Sequence, residues 1–244
     1  VAPGFINMLS WATESLVIDG RSQSDIRQGV TLEVFGEGNS EGPINETMRR
    51  DIVESGGFAG ADITWTTLGE YLEYLVDRGV STNVASFIGA TTVRKHEIGY
   101  EDRAPTADEL QQMRALVREA MEEGAMGLGS SLIYAPAFYA SSDELVELAK
   151  VVGEYDGMYI SHLRSEGNRL LEAIDELIQI AREGDVAAEI YHLKMAGRQN
   201  WDKFDDVVAR VETAQAEGLE ITADIYTYTA GSTGLDAAMP PWVQ

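Results

Sequence analysis

SSDELVELAKVVGEYDGMYISHLRSEGNRLLEAIDELIQIAREGDVAAEIYHL, residues 141–193, holds two repeats of one pattern. Leu145, Leu148 and Val152 recur at helical spacing, then Gly157 precedes an apolar run from Met158 to Arg164. Leu170, Ile174, Leu177 and Ala181 repeat the spacing, and Gly184 precedes the run from Ala187 to Leu193. Apolar residues three and four apart share one helix face, and a glycine just past a helix takes the left-handed cap at little cost. Each repeat therefore reads as a helix that stops and feeds a strand. Ser141 and Glu144 form a capping box at the start of the first.

The pattern extends in both directions. Gly29, Gly79, Gly124 and Gly218 mark further helix stops, and Thr106 with Glu109 caps the helix carrying Leu110, Met113, Val117 and Met121. Phe204, Val207 and Val211 make a last apolar face. Strands are expected at Gly4–Ser10, Thr31–Gly36, Asn83–Gly89, Gly127–Ser130 and Glu220–Tyr226, making seven with the two above. A parallel neighbour needs a crossover, usually a helix, so regular alternation means parallel βα units. Neither GxGxxG nor GxxxxGK[ST] is present, which disfavours an open nucleotide-binding sheet. The density of units fits an α/β (β/α)8 TIM-type barrel of about seven units over residues 1–244, a single domain whose eighth strand is expected outside the sequence.

Composition narrows the functions. The 244 residues are 44% hydrophobic, enough for a sizeable core. Forty-one acidic against 18 basic side chains leave a net charge of −23, the wrong sign for binding nucleic acid or an anionic membrane surface. No run is long and apolar enough to span a bilayer, and cysteine is absent. A chain opening on Val1 reads as an internal segment of a soluble protein, cytoplasmic by default and exported if a signal peptide precedes it.

A βα barrel builds its active site at the C-terminal ends of its strands. His162 and His192 end the fifth and sixth expected strands, one unit apart, so they would sit side by side on that rim. Two readings compete: unrelated hydrogen-bonded histidines, or a pair of ligands for Zn2+ or a similar divalent ion; their matched placement favours ligands. Glu37, after the second strand, could add a carboxylate, against the reading of one loop acid among 41. Arg164 and Lys194 each follow a histidine by two residues and by alternation would share its face. Beside a dication, a cation is better placed to hold an anionic substrate group than to serve structure, against the competing reading, equally weighted for either residue alone, of a solvated rim charge. His96, among charges, is expected in a loop.

GLGSSLIYAPAFYASSDELVELAKVV (127–152), SHLRSEG (161–167), the stretch from His192 to Trp201 and DIYTYTAGSTGLDAAMPPWV (224–243) resemble consecutive blocks of the D-aminoacylase group of the amidohydrolase superfamily, the N-acyl-D-amino-acid deacylases. PGFI (3–6) is similar to that family's first barrel strand. The resemblance implies a zinc-dependent barrel, with a small flanking β domain expected outside the sequence, that hydrolyses the amide of a small-molecule N-acyl-D-amino acid. It implies that His162 and His192 are zinc ligands, and that Tyr134, Lys194, Tyr226 and Ser232 line the substrate pocket and hold its carboxylate. Three departures stand out. Leu9 and Trp11 occupy the places of a histidine pair, which implies a single metal ion and apolar packing around both residues. The family's cysteine ligand has no counterpart: Gly38 is nearest its place and Glu37 is the only local donor. The general-base aspartate belongs to the eighth strand, expected beyond Gln244. Relatives acting on dipeptides, cyclic amides or lactones share this metal chemistry, and a non-catalytic barrel keeping only a binding pocket is the competing class.

Overall fold

The computed structural model describes residues 1–243. In chain order its elements are β1 (Phe5–Asn7), α1 (Thr13–Ile18), α2 (Gln23–Ile26), β2 (Val30–Phe35), α3 (Glu46–Glu54), α4 (Leu68–Arg78), β3 (Asn83–Ser86), β4 (Ile88–Gly89), α5 (Ala90–Glu97) and α6 (Ala107–Glu122). There follow β5 (Gly127–Ser131), α7 (Ser142–Gly153), β6 (Met158–His162), α8 (Leu170–Gly184), β7 (Ala187–Ile190), α9 (Phe204–Ala216) and β8 (Ile221–Ala223), with short 3-10 turns between.

Every strand pairing is parallel and sequential, β1-β2-β3 and β4-β5-β6-β7-β8. The two sheets are one surface divided at Phe87: its amide donates to the Phe35 carbonyl at 2.9 Å, and the Met126 amide donates to the Ser86 carbonyl at 2.9 Å. The third expected strand is thus cut into β3 and β4, and seven strand positions form a partial barrel among the described residues.

Alternation sorts each strand into two layers. Val34, Phe87, Ile160 and Tyr191 form a cluster on one face with Leu9, Leu32, Met126 and Met158 packed on it; this is the barrel interior. Phe35, Leu128, Tyr159, Ala188 and Ile190 point the other way, into the large cluster they share with the helices. The apolar face read on α8 is buried as Leu170, Ile174, Leu177 and Ala181, together with Ala173 and Ile178. Of the two capping boxes, the one at α6 closes both ways, Thr106 Oγ1 accepting from Glu109 N at 3.2 Å and Glu109 Oε2 from Thr106 N at 2.7 Å. At α7 only half forms, Ser141 Oγ accepting from Glu144 N at 3.2 Å, because the Glu144 carboxylate is drawn to Arg94 instead.

Two expectations need correction. His96 lies in helix α5, its Nδ1 2.7 Å from Glu97 Oε1. That helix is hidden in sequence by its Thr-Thr-Val run, whose β-branched side chains disfavour helix when isolated; here burial of Thr91, Thr92, Val93 and Arg94 overrides propensity. At Gly157 and Gly184 the left-handed residue is the neighbouring Asp156 or Asp185, each at φ 54°, which a short polar side chain tolerates.

Arg94 is a fastener for the helical layer. Its guanidinium donates to Glu144 Oε2 at 2.6 Å and to the carbonyls of Glu101 and Arg103 at 3.1 and 2.6 Å, with both charged side chains buried. Arg94→Met should therefore cost about 3–5 kcal/mol of stability, because it strands a carboxylate away from water. Urea unfolding would measure this, and a loss under about 1 kcal/mol would mean the pair is dispensable.

Candidate metal centre

Glu37 stands between Gly36 at φ 107° and Gly38 at φ 75°. Side chains cannot replace either glycine: a Cβ at Gly36 would lie 2.5 Å from the Phe87 carbonyl oxygen, and one at Gly38 2.6 Å from the Ser131 Cβ. Two successive reversals after β2 turn the Glu37 carboxylate back over the strand ends. His162 arrives more simply, since Met158, Ile160 and His162 alternate onto the inner face of β6.

His192 takes a third route. Ala188 and Ile190 pack outward on β7, so strict alternation would carry His192 outward as well. Its φ of 39° breaks the alternation and turns the ring inward, 4.5 Å from the His162 ring. A non-glycine residue there costs of order 1–3 kcal/mol, the kind of strain that functional sites retain. Asp224, just past β8, holds the bend: its Oδ1 accepts the His192 amide at 2.5 Å, and its carbonyl accepts the Leu193 amide at 3.0 Å.

The three side chains meet. Glu37 Oε1 is 3.0 Å from His162 Nδ1 and 3.1 Å from His192 Nε2. One donor atom from each residue falls within 4.8 Å of the others, at sites that are buried or nearly so. Burial works against charge on Glu37, but the hydrogen bonds from His162 and His192 outweigh it and hold the carboxyl at about 2. For His192, burial opposes protonation, while hydrogen bonds to Glu166 and Glu37 prevail and raise it to about 9. Burial also lifts Asp224 and Glu189, whose neighbouring carboxyls repel further ionisation.

A carboxylate oxygen with two imidazole nitrogens is a donor set suited to zinc and similar divalent cations. One atom reveals what hydrogen bonding leaves undone: His162 Nε2 is buried with no hydrogen-bond partner, and Glu166 Oε1 stands 3.9 Å from it. Buried polar atoms are seldom left so, and here the orphan belongs to a histidine of the cluster a cation would join.

Around this centre the other expected residues fall unevenly. Lys194 reaches it: Nζ donates to Glu166 Oε1, lies 2.9 Å from His192 Nδ1, and donates to the His192 carbonyl at 3.1 Å. Tyr226 faces His192 with ring centroids 6.5 Å apart, lies beneath Lys194 Nζ at 5.5 Å, and stacks on Tyr228 at 4.8 Å. Tyr134 stands edge-on to His162 at 5.5 Å, and its hydroxyl is 2.6 Å from Thr233 Oγ1. Ser232 is exposed between Gly231 and Thr233, on the same rim segment.

Arg164 is a correction. The chain leaves the sheet after His162, and the guanidinium swings to Glu176 of α8 at 2.8 Å and to the Phe138 and Ala140 carbonyls, both at 2.9 Å. It pins the loop after β5 to α8, and the alternation argument fails because the strand ends two residues too soon. Trp11 is a second correction. Leu9 packs on the inner apolar cluster as expected, but Trp11 is 60% exposed and its indole N–H donates to Glu37 Oε2 at 2.9 Å. Sequence reading missed Trp11 as a donor, Asp224 as the clamp on His192, and Glu166. Only the last left a trace, four residues after His162 inside SHLRSEG.

No family model matches the chain. Among curated proteins it is 32% identical over 239 residues to a D-aminoacylase of Alcaligenes xylosoxydans xylosoxydans, covering 96% of this chain and 48% of that protein. An N-acyl-D-aspartate deacylase of the same organism is 30% identical over 239 residues, covering 96% and 47%. Among solved structures, D-aminoacylase superposes with a TM-score of 0.83 at 32% identity over 94% of this chain and 48% of that one. An N-acyl-D-glutamate deacylase of Bordetella bronchiseptica, complexed with zinc and a phosphonate mimic of the tetrahedral intermediate, gives 0.82 at 28% over 93% and 48%. The chain spans about half the length of the curated relatives it matches. Its sequence and its partial barrel thus make it a homologue of the D-aminoacylases and N-acyl-D-amino-acid deacylases of the amidohydrolase superfamily.

Proposed function

We propose that this chain carries the metal centre and part of the substrate pocket of a divalent-metal amidohydrolase that removes the acyl group from N-acyl-D-amino acids. The convergence of Glu37, His162 and His192, with His162 Nε2 left unpartnered beside them, carries the reading. The D-aminoacylase and deacylase homologues supply the substrate class, and the zinc complex of the Bordetella deacylase supports zinc. Glu37, His162 and His192 would hold one ion. A bound divalent cation supplies Lewis-acid polarisation of the scissile carbonyl and lowers the pKa of water from about 15.7 towards roughly 7.

The remaining residues orient. Lys194 offers an ammonium beside the centre for the substrate carboxylate, with Tyr226 as the wall beneath it and Ser232 on the rim segment nearby. Tyr134 closes the side next to His162. Fixing the carboxylate fixes the distance from the α-amide to the centre, and that positioning converts binding into rate. Trp11 occupies one oxygen of Glu37 as a hydrogen-bond donor, and neither it nor Leu9 offers a ligand to a second ion.

The test is metal analysis of the full-length protein, with hydrolysis of N-acetyl-D-amino acids followed alongside. About one tightly held divalent ion per chain is expected after dialysis, with activity lost on chelation and restored by metal; two tightly held ions would contradict the single-metal reading. Because His192 of the metal-free protein holds its proton up to about 9, metal entry must displace it. Apparent affinity should therefore rise about tenfold per pH unit between pH 6 and 8, and a flat profile would count against His192 as a ligand.

A further inference from the structure

Among the described residues, Glu166 is the acidic side chain that touches both functions of the site. Its Oε1 lies 2.9 Å from His192 Nδ1, is in contact with Lys194 Nζ, and is 3.9 Å from the unpartnered Nε2 of His162. It reaches there from the loop after β6, where the Ala196 amide donates to the Glu166 carbonyl at 2.8 Å and fastens that loop to the one after β7. The carboxylate is mostly buried, with a side chain 15% exposed.

We infer that Glu166 is a positioning residue which sets the tautomer of His192 and holds Lys194 in place for an anionic substrate. An imidazole presents one lone pair at a time when neutral: a proton kept on Nδ1 by an acceptor leaves Nε2 free to donate to a cation. Glu166 Oε1 is that acceptor, and His192 Nε2 is the nitrogen that faces Glu37. Outer carboxylates that orient ligand histidines in this way typically change metal affinity 10- to 100-fold when removed. The same oxygen binds the Lys194 ammonium, so the cation is anchored in the free protein at a point where a substrate carboxylate can join it. One carboxylate thereby links metal affinity to recognition of the substrate's charge.

This inference rests on the metal-centre reading, and the experiment separates the two. Metal affinity of the full-length protein would be measured by chelator competition with Zn2+ for wild type, Glu166→Ala, Glu166→Gln and His192→Ala. Glu166→Ala should weaken Zn2+ binding about 10- to 100-fold. Glu166→Gln keeps an acceptor for the Nδ1 proton and should recover most of that loss, which a packing defect would not show. In kinetics at saturating metal, Glu166→Gln should raise KM for an N-acyl amino acid several-fold, and leave KM for the corresponding neutral amide unchanged. Unaltered Zn2+ affinity in both Glu166 variants, with affinity lost in His192→Ala, would overturn the role of Glu166 alone. Unaltered affinity in His192→Ala would overturn the metal centre and the inference with it.

Discussion

Replacing His192 with alanine in the full-length protein should abolish tight metal binding and, with it, hydrolysis. Structural zinc sites bind with roughly 10–16 kcal/mol shared among four ligands, so one ligand is worth about 3 kcal/mol, or about 10²–10³ in affinity. The geometry adds to that loss, because the vacated Nε2 is one of two imidazole donors that converge on Glu37 Oε1, which it meets at 3.1 Å. The fold itself should tolerate the change: the strained φ of 39° is paid for by Asp224 through the backbone amide, which alanine keeps. His192→Asn serves as a control, since asparagine accepts the left-handed conformation more readily and still lacks the imidazole. Dialysis followed by metal analysis, with far-UV circular dichroism to check the fold, would decide. Retention of one tightly bound ion per chain in either variant would remove His192 from the centre.

The barrel was legible because periodicity is a whole-element property. Leu170, Ile174, Leu177 and Ala181 spell out one helix face wherever the helix ends, and all four are buried. His162 was legible for the same reason, as alternation from Met158 carries through to the last residue of β6. Arg164 sits beyond that residue, where alternation has lost its physical basis, and the reading failed. His192 reached the centre although alternation pointed it away, since a single left-handed residue reversed it; here strand-end placement gave the correct side for a reason the pattern does not contain. Contacts across large sequence separations were the least visible. Trp11 meets Glu37 from another strand's loop and Glu166 meets Lys194 across a whole βα unit, and in a chain with 41 acids nothing local singles out Glu166.

Lys194→Met should raise KM for N-acyl amino acids about tenfold or more while leaving metal content unchanged, a loss of about 1.4–3 kcal/mol as for hydrogen bonds to charged groups. The side chain is 29% exposed, so its ammonium is reachable from the rim while its donors remain tied to Glu166 and the His192 carbonyl. A cation so satisfied needs no substrate for its own stability, yet it stands beside the centre over the face of Tyr226 at 5.5 Å. An arriving carboxylate would share it with Glu166, and the amide, separated from that carboxylate by the α-carbon alone, would then lie towards His192. Methionine keeps the length and most of the packing and removes only the charge and its donors, so a folding defect is not expected. The decisive comparison uses an N-acyl amine lacking the carboxylate. On that substrate wild type and Lys194→Met should have nearly equal kcat/KM, because neither can use the missing ion pair. Equal losses on both substrates would assign Lys194 to structure or to the chemistry at the centre, and an unchanged KM on the carboxylate substrate would remove it from recognition altogether.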